Sequence, residues 1–142
     1  ALEEAQRRGF AEADPTFDIS GADAAQKLSV LCYHAFGEHI HPKNIDISST
    51  ERISLIDIHD AADNGEVIKL IAEAEILFGK VHAKVSPQRI ANTHVFSTTN
   101  DEFNALEIST KYAGTQILYG KGAGSYPTAS AVVNDIISVV IA

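Results

Sequence analysis

An α+β fold is the class this sequence predicts: an open mixed, largely antiparallel sheet of about four or more strands, with helices packed on one face. Three observations carry that expectation. Glu66 to Phe78 and the following "VHAKVSP" alternate apolar and polar residues about Gly79-Lys80, as the arms of a hairpin do. Phe103 to Thr110 and Thr115 to Tyr119 do the same about Tyr112-Ala113-Gly114. Helical apolar spacing precedes the first pair, and a glycine-rich turn followed by an apolar helix comes after the second.

Taken in order, Leu2 to Arg8 has helical composition and ends at Gly9, a residue suited to a left-handed C-terminal cap, so the end of a helix is expected there. Ala13 to Ser20 contains Asp14-Pro15, which biases the backbone away from helix, and reads as a loop with Ser20-Gly21 offering a helix start. From Ala22 the apolar positions Ala24, Leu28, Leu31, Cys32 and Ala35 recur at helical spacing and Gly37 follows, which predicts an amphipathic helix of about four turns. Ile53 to Ala62 alternates briefly, yet Asn64-Gly65 closes it as a helix closes, so a short helix is expected. At the far end, "GKGAGSYPTASAVVNDIISVVIA" reads as a turn feeding a helix with Pro127 in its first turn.

The chain has 142 residues, 45% of them hydrophobic and 21% charged, which suits one soluble domain with a real core. Its formal charge of -8 and lack of a basic cluster exclude duplex nucleic acid and anionic membrane as main partners. Cys32 is the single cysteine, so no intramolecular disulfide forms, and a reducing compartment, the cytoplasm, is expected. The opening "ALEEAQRRGF" reads as a start from the middle of a longer chain rather than as a secretory leader. Ala129 to Ala142, the most apolar stretch, is broken by Asn134 and Asp135 and is shorter than the roughly 20 residues a membrane span needs.

Three constellations could carry chemistry. Asp23 and Lys27 stand four apart in the first turns of the long helix, acid before base. That arrangement is either a surface ion pair worth a few tenths of a kcal/mol or an acid holding a lysine for proton transfer to an oxygen centre. Glu12 and Asp18, in the preceding loop, read either as solvated acids or as groups folded back over the same helix start. His34, His39 and His41 read as surface histidines rather than metal ligands, because His39 and His41 straddle a helix end and no fourth partner is evident. Cys32 lies on the apolar stripe and reads as a buried structural thiol. "YGKGAG", Tyr119 to Gly124, suggests phosphate cradling ahead of a helix but fails as a dinucleotide fingerprint, since the second strand and distant acid have no room to follow.

With these residues in hand, "AQRRGFAEADPTFDISGADAAQKLSVL" and "YGKGAGSYPTASAVVNDI" resemble the signatures of the homoserine dehydrogenases, and "IKLIAEAE", "VSPQRI" before "THVF", and "FNAL" are similar to its middle. The resemblance covers nearly the whole chain. It implies an NAD(P)-dependent oxidoreductase interconverting aspartate 4-semialdehyde and homoserine on the route to threonine, methionine and isoleucine. It further implies a small-molecule substrate and a homodimer paired through this region's sheet. It divides the chain into a substrate-binding, catalytic and dimerising part, residues 1–124, and a helix, residues 125–142, that returns to a nucleotide-binding domain absent from this sequence. By motif, Glu12 would hold the substrate ammonium and Asp18 would belong to the acidic shell. Asp23 would bind the hydroxyl or aldehyde oxygen beside Lys27, and Lys27 would give that oxygen its proton. Gly122 and Gly124, in the glycine turn, would lie against the cofactor. Phe10 stands where relatives often carry tyrosine, so one hydroxyl contact is lost.

Physical chemistry agrees with this assignment without having produced it. An ammonium is attracted to carboxylates, and reduction of an aldehyde builds negative charge on its oxygen, which a nearby ammonium donor stabilises. Carboxylates beside Lys27 would keep it protonated for that task. On this reading the chain alone neither binds NAD(P) nor turns over. The alternative is a non-catalytic amino-acid-binding or dimerisation module, for which Asp23 and Lys27 would be superfluous.

Overall fold

The computed structural model describes residues 20–141, and its contacts group into two compact units, 1–93 and 94–142. The first unit opens with α1 (Ala22–Phe36), closed by Gly37, whose left-handed backbone donates its N–H to the Tyr33 carbonyl. Single 3₁₀ turns follow at Pro42–Asn44 and Thr50–Arg52, capped by His41 Nδ1 and Ser49 Oγ. Between them lies the short β1 (Asp46–Ile47). Helix α2 (Leu55–Asp63) starts on a capping box, with Ser54 Oγ accepting the Asp57 N–H and the Asp57 carboxylate accepting the Ser54 N–H at 2.8 Å.

β2 (Glu66–Leu77) and β3 (Lys80–Ala91) then pair antiparallel along their full length, from Glu66 opposite Ala91 to Leu77 opposite Lys80. Their turn is Phe78-Gly79, both with positive φ (52° and 78°), the signature of a two-residue hairpin connection whose twist matches its strands. β1 joins the far side of β3 in parallel, Ile47 opposite Val85, so the sheet order is β1-β3-β2.

The period of two along each strand decides where the core sits. Val81, Ala83 and Val85 of β3 share a face with Leu70 and Ala74 of β2, and α1 covers that face with Ala25, Leu28 and Cys32; Ile45 completes the cluster. Arg89, on the same face, reaches across to Asp60 of α2 at 2.7 Å, so both helices cover one side of the sheet. The opposite face carries the cross-strand pair Lys84 and Glu73, also 2.7 Å apart. Leu31, expected on the apolar stripe of α1, is exposed, and Ala25, outside the expected set, is buried: the stripe facing the strands runs through Ala25, Leu28 and Cys32.

The second unit contains the single helical turn α3 (Val95–Thr98), the antiparallel hairpin β4 (Phe103–Thr110) and β5 (Gly114–Lys121), and α4 (Ser125–Ile141). His94 caps α3, its Nδ1 accepting the Phe96 N–H, while its Nε2 lies 3.2 Å from Glu107 of β4. The β4–β5 turn is held by Thr110 Oγ1, which accepts the Ala113 N–H at 3.1 Å. The α+β class with antiparallel-rich sheets and flanking helices is therefore the one observed. The strands among the described residues form a three-stranded sheet and a two-stranded sheet, and β1 and α3 are additions the alternation did not announce.

Candidate functional site

The N-terminal end of α1 is fixed by a residue that must be glycine. Gly21 has φ +82°, and a Cβ there would sit 3.0 Å from Ile47 Cγ2 and 3.3 Å from Val85 Cγ1, so the helix start is pressed onto β1 and β3. The Gly21 carbonyl accepts the Ala25 N–H at 3.0 Å, closing the first helical bond. One turn further on, Asp23 Oδ2 and Lys27 Nζ meet at 2.7 Å, as their spacing predicted. The side chains are 38% and 67% exposed, so a ligand can reach both. As a stabilising contact such a solvated pair is worth little. As a chemical device it offers a fixed ammonium with N–H groups left to donate, beside a carboxylate already at the positive end of a helix.

Glu12 and Asp18, the other acids expected here, lie outside the described residues. Gly122 and Gly124 lie in the second unit, where β5 runs into α4. The Gly122 N–H donates to the Glu102 carbonyl at 2.7 Å, extending the hairpin register by one pair. Beside it, Lys121 and Glu102 form an ion pair of 2.9 Å, and the Lys121 ammonium holds the Glu102 carboxyl below its ordinary range. Gly124 has φ +112°, accessible to glycine and strained for other residues, and its carbonyl accepts the Thr128 N–H at 3.1 Å to start α4. At Gly124 the absence of a side chain leaves the backbone open to close approach by a ligand.

The three histidines make ring contacts and a cap. His39 stacks on Tyr33 with ring centroids 4.2 Å apart, His41 caps a 3₁₀ turn, and His34 meets Tyr33 edge-on. Among the described residues no group of three or more His, Cys, Asp or Glu side chains is arranged to hold a metal ion. Cys32 is buried in the core, where desolvation pushes its thiol pKa up, and it has the character of a packing residue. An open cavity of about 420 Å³ on the first unit is lined by Asp46, Glu73, Glu75, His82 and Lys84 among others; neither Asp23 nor Lys27 lines it. No helix among the described residues is long and apolar enough to cross a membrane.

Asn104 is the residue near these positions that the sequence reading did not single out. Its side-chain amide occupies the space a Cβ at Gly122 would need. The signal available was "FNAL" facing the "GKG" run across the second hairpin, which becomes informative only once the register is known.

Comparison with known proteins gives the arrangement its context. The homoserine dehydrogenase family model matches residues 1–137. The chain is 37% identical over 138 residues to the homoserine dehydrogenase of Bacillus subtilis, covering 97% of this chain and 32% of that protein. It is 40% identical over 142 residues to that of Pseudomonas aeruginosa, covering 98% and 32%. Among solved structures, Staphylococcus aureus homoserine dehydrogenase superposes with a TM-score of 0.88 at 41% identity, over 99% of this chain and 35% of that one. The Thiobacillus denitrificans enzyme gives 0.90 at 38%, over 97% and 32%. The chain thus spans about a third of the length of these relatives. Matched from its first residue to within five of its last and alike in both sequence and fold, it belongs to the homoserine dehydrogenase family.

Proposed function

We propose that this chain is the substrate-binding and catalytic region of an NAD(P)-dependent homoserine dehydrogenase, interconverting L-aspartate 4-semialdehyde and L-homoserine. The observation that carries the proposal is the 2.7 Å Asp23–Lys27 contact at the start of α1, held by Gly21 against the sheet, in a chain of this family. The nicotinamide cofactor supplies the hydride that reaches, or leaves, the substrate's terminal carbon. The chain's own residues do the rest. Glu12, with Asp18 nearby, binds the substrate ammonium, and Asp23 with Lys27 addresses the oxygen at the other end, so the two polar termini fix the substrate's direction. As negative charge develops on the aldehyde oxygen, Lys27 donates a proton to it; in the reverse direction the lysine takes that proton back. Asp23, 2.7 Å from the ammonium, keeps it aimed. Gly122 and Gly124 would hold the nicotinamide end of the cofactor against the backbone of the glycine turn.

Residues 1–124 serve in substrate binding, catalysis and dimerisation, and residues 125–142 return to a nucleotide-binding domain. Exposed Ile108, Ile117, Leu118 and Tyr119 on the β4–β5 hairpin support a homodimer paired through this sheet, since a two-stranded hairpin is marginal without a partner surface. The reaction places the protein in cytoplasmic amino-acid biosynthesis leading to threonine, methionine and isoleucine. The full-length enzyme carrying this chain is expected to reduce aspartate semialdehyde with NADPH or NADH. Residues 1–142 on their own, about a third of the length of the relatives, are expected to show no turnover, and robust reduction by them alone would contradict the division of labour. Calorimetric titration of the full-length protein with homoserine should show binding that Glu12→Ala weakens by about tenfold or more; unchanged affinity would remove Glu12 from the site.

A further inference from the structure

The hairpin register places Asn104 opposite Gly120 and, one pleat on, Glu102 opposite Gly122, so Asn104 shares one side of the hairpin with both glycines. The Asn104 side chain does not lie across its direct partner: a Cβ at Gly120 would have nothing within 4 Å. It leans along the strand instead, and a Cβ at Gly122 would overlap its Nδ2 and Cγ. Gly122 is the last residue of the strand register, tied down by the Glu102 carbonyl, with Lys121 held by Glu102 at 2.9 Å and lying over the Phe103 ring. Beyond it the chain turns through Gly124 into α4.

From this we infer that Asn104 is the positioning residue of the glycine turn: its amide fills the place of the side chain Gly122 lacks and so sets the path on which Gly122 to Gly124 meet the nicotinamide cofactor. The inference rests on the proposed cofactor-facing role of those glycines and goes one step deeper, to what holds them. It explains the glycine at 122 without appeal to a strained backbone, because Gly122 is not among the glycines of positive φ. The bare backbone there is demanded by the neighbour, not by φ. Asn104 touches neither substrate nor reacting atoms in this account; it acts through the turn.

The test is a double-mutant cycle in the full-length enzyme with Asn104→Ala, Gly122→Ala and both together, reading the Kd for NADPH by fluorescence titration alongside KM and kcat. Gly122→Ala, which forces the amide out, is expected to weaken NADPH binding about tenfold or more, and Asn104→Ala, which loosens the turn, about three- to tenfold. Asn104→Ala should leave the homoserine KM within about twofold, since Asn104 acts on the cofactor-facing turn and not on the substrate. In the double variant the new methyl enters the vacated space, so NADPH affinity should recover to near that of Asn104→Ala alone. Penalties that simply add, unchanged affinity in both single variants, or losses shared equally by the homoserine KM would each overturn the inference. Thermal unfolding of the same four proteins reads the side-chain contact by itself. Coupling in Tm without coupling in NADPH affinity would overturn the inference while leaving the proposed function standing. Failure of the unsubstituted enzyme to bind NADPH at all would overturn both.

Discussion

Gly21 and Phe78 show how differently single residues can sit in left-handed backbone. Gly21 has φ +82° because α1 must begin against Ile47 and Val85, and it is glycine for space as well as conformation. Gly21→Ala is expected to cost about 2–4 kcal/mol, combining left-handed strain with overpacking, as measured by chemical denaturation. Phe78 has φ 52° with a fully exposed side chain, so its conformation gains nothing from burial to offset the strain. Phe78→Asn should therefore stabilise the chain by about 1 kcal/mol, and a lower denaturation midpoint would show that the Phe78 ring contributes something the structure does not reveal. Sequence spacing alone placed Lys27 beside Asp23, because a helix makes that contact local. It could not show that Asn104 meets Gly122, since that contact exists only across a settled hairpin register. No substrate was legible from spacing at all; the one proposed rests on the family resemblance of Glu12 to Lys27.

At the scale of the element, helix ends and turns were the most readable features. Gly37 closes α1 and Asn64-Gly65 closes α2 as their residue types suggest. The first hairpin turns at Phe78-Gly79, one residue earlier than Gly79-Lys80, with positive φ at both central positions. The start of α2 rests on the Ser54–Asp57 capping box, and Ser54→Ala is expected to lower stability by about 1 kcal/mol in a denaturant titration. The same cap has a pH signature. Hydrogen bonds from Ser54 lower the Asp57 pKa from its ordinary 3.8, and the Lys121 contact lowers that of Glu102 from 4.5. A carboxylate with a depressed folded-state pKa contributes stability that is present above its unfolded value and lost as pH falls through the folded one. Tm should thus hold steady above about pH 5 and decline below about pH 4, and Asp57→Asn should flatten part of that decline.

For the whole molecule, the two hairpins were legible because alternation is local, whereas their assignment to a three-stranded and a two-stranded sheet was not, because strand pairing is settled by non-local contacts. β1 is too short to announce itself and exists only because β3 offers it an edge. The second unit leaves most of its apolar residues exposed, from Ile117 and Leu118 on the hairpin to Val139, Val140 and Ile141 on α4. Apolar exposure on that scale is what a protein surface docked against it would cover. Light scattering at high concentration is expected to report twice the chain mass; a monomer would count against pairing through the β4–β5 sheet. The central claim, that Lys27 supplies the proton to the substrate oxygen, is tested most directly by kcat of the full-length enzyme carrying Lys27→Ala. The account predicts a loss of about 10²- to 10⁴-fold with NADPH binding unchanged. Activity within a fewfold of the unsubstituted enzyme would contradict it and favour a non-catalytic module.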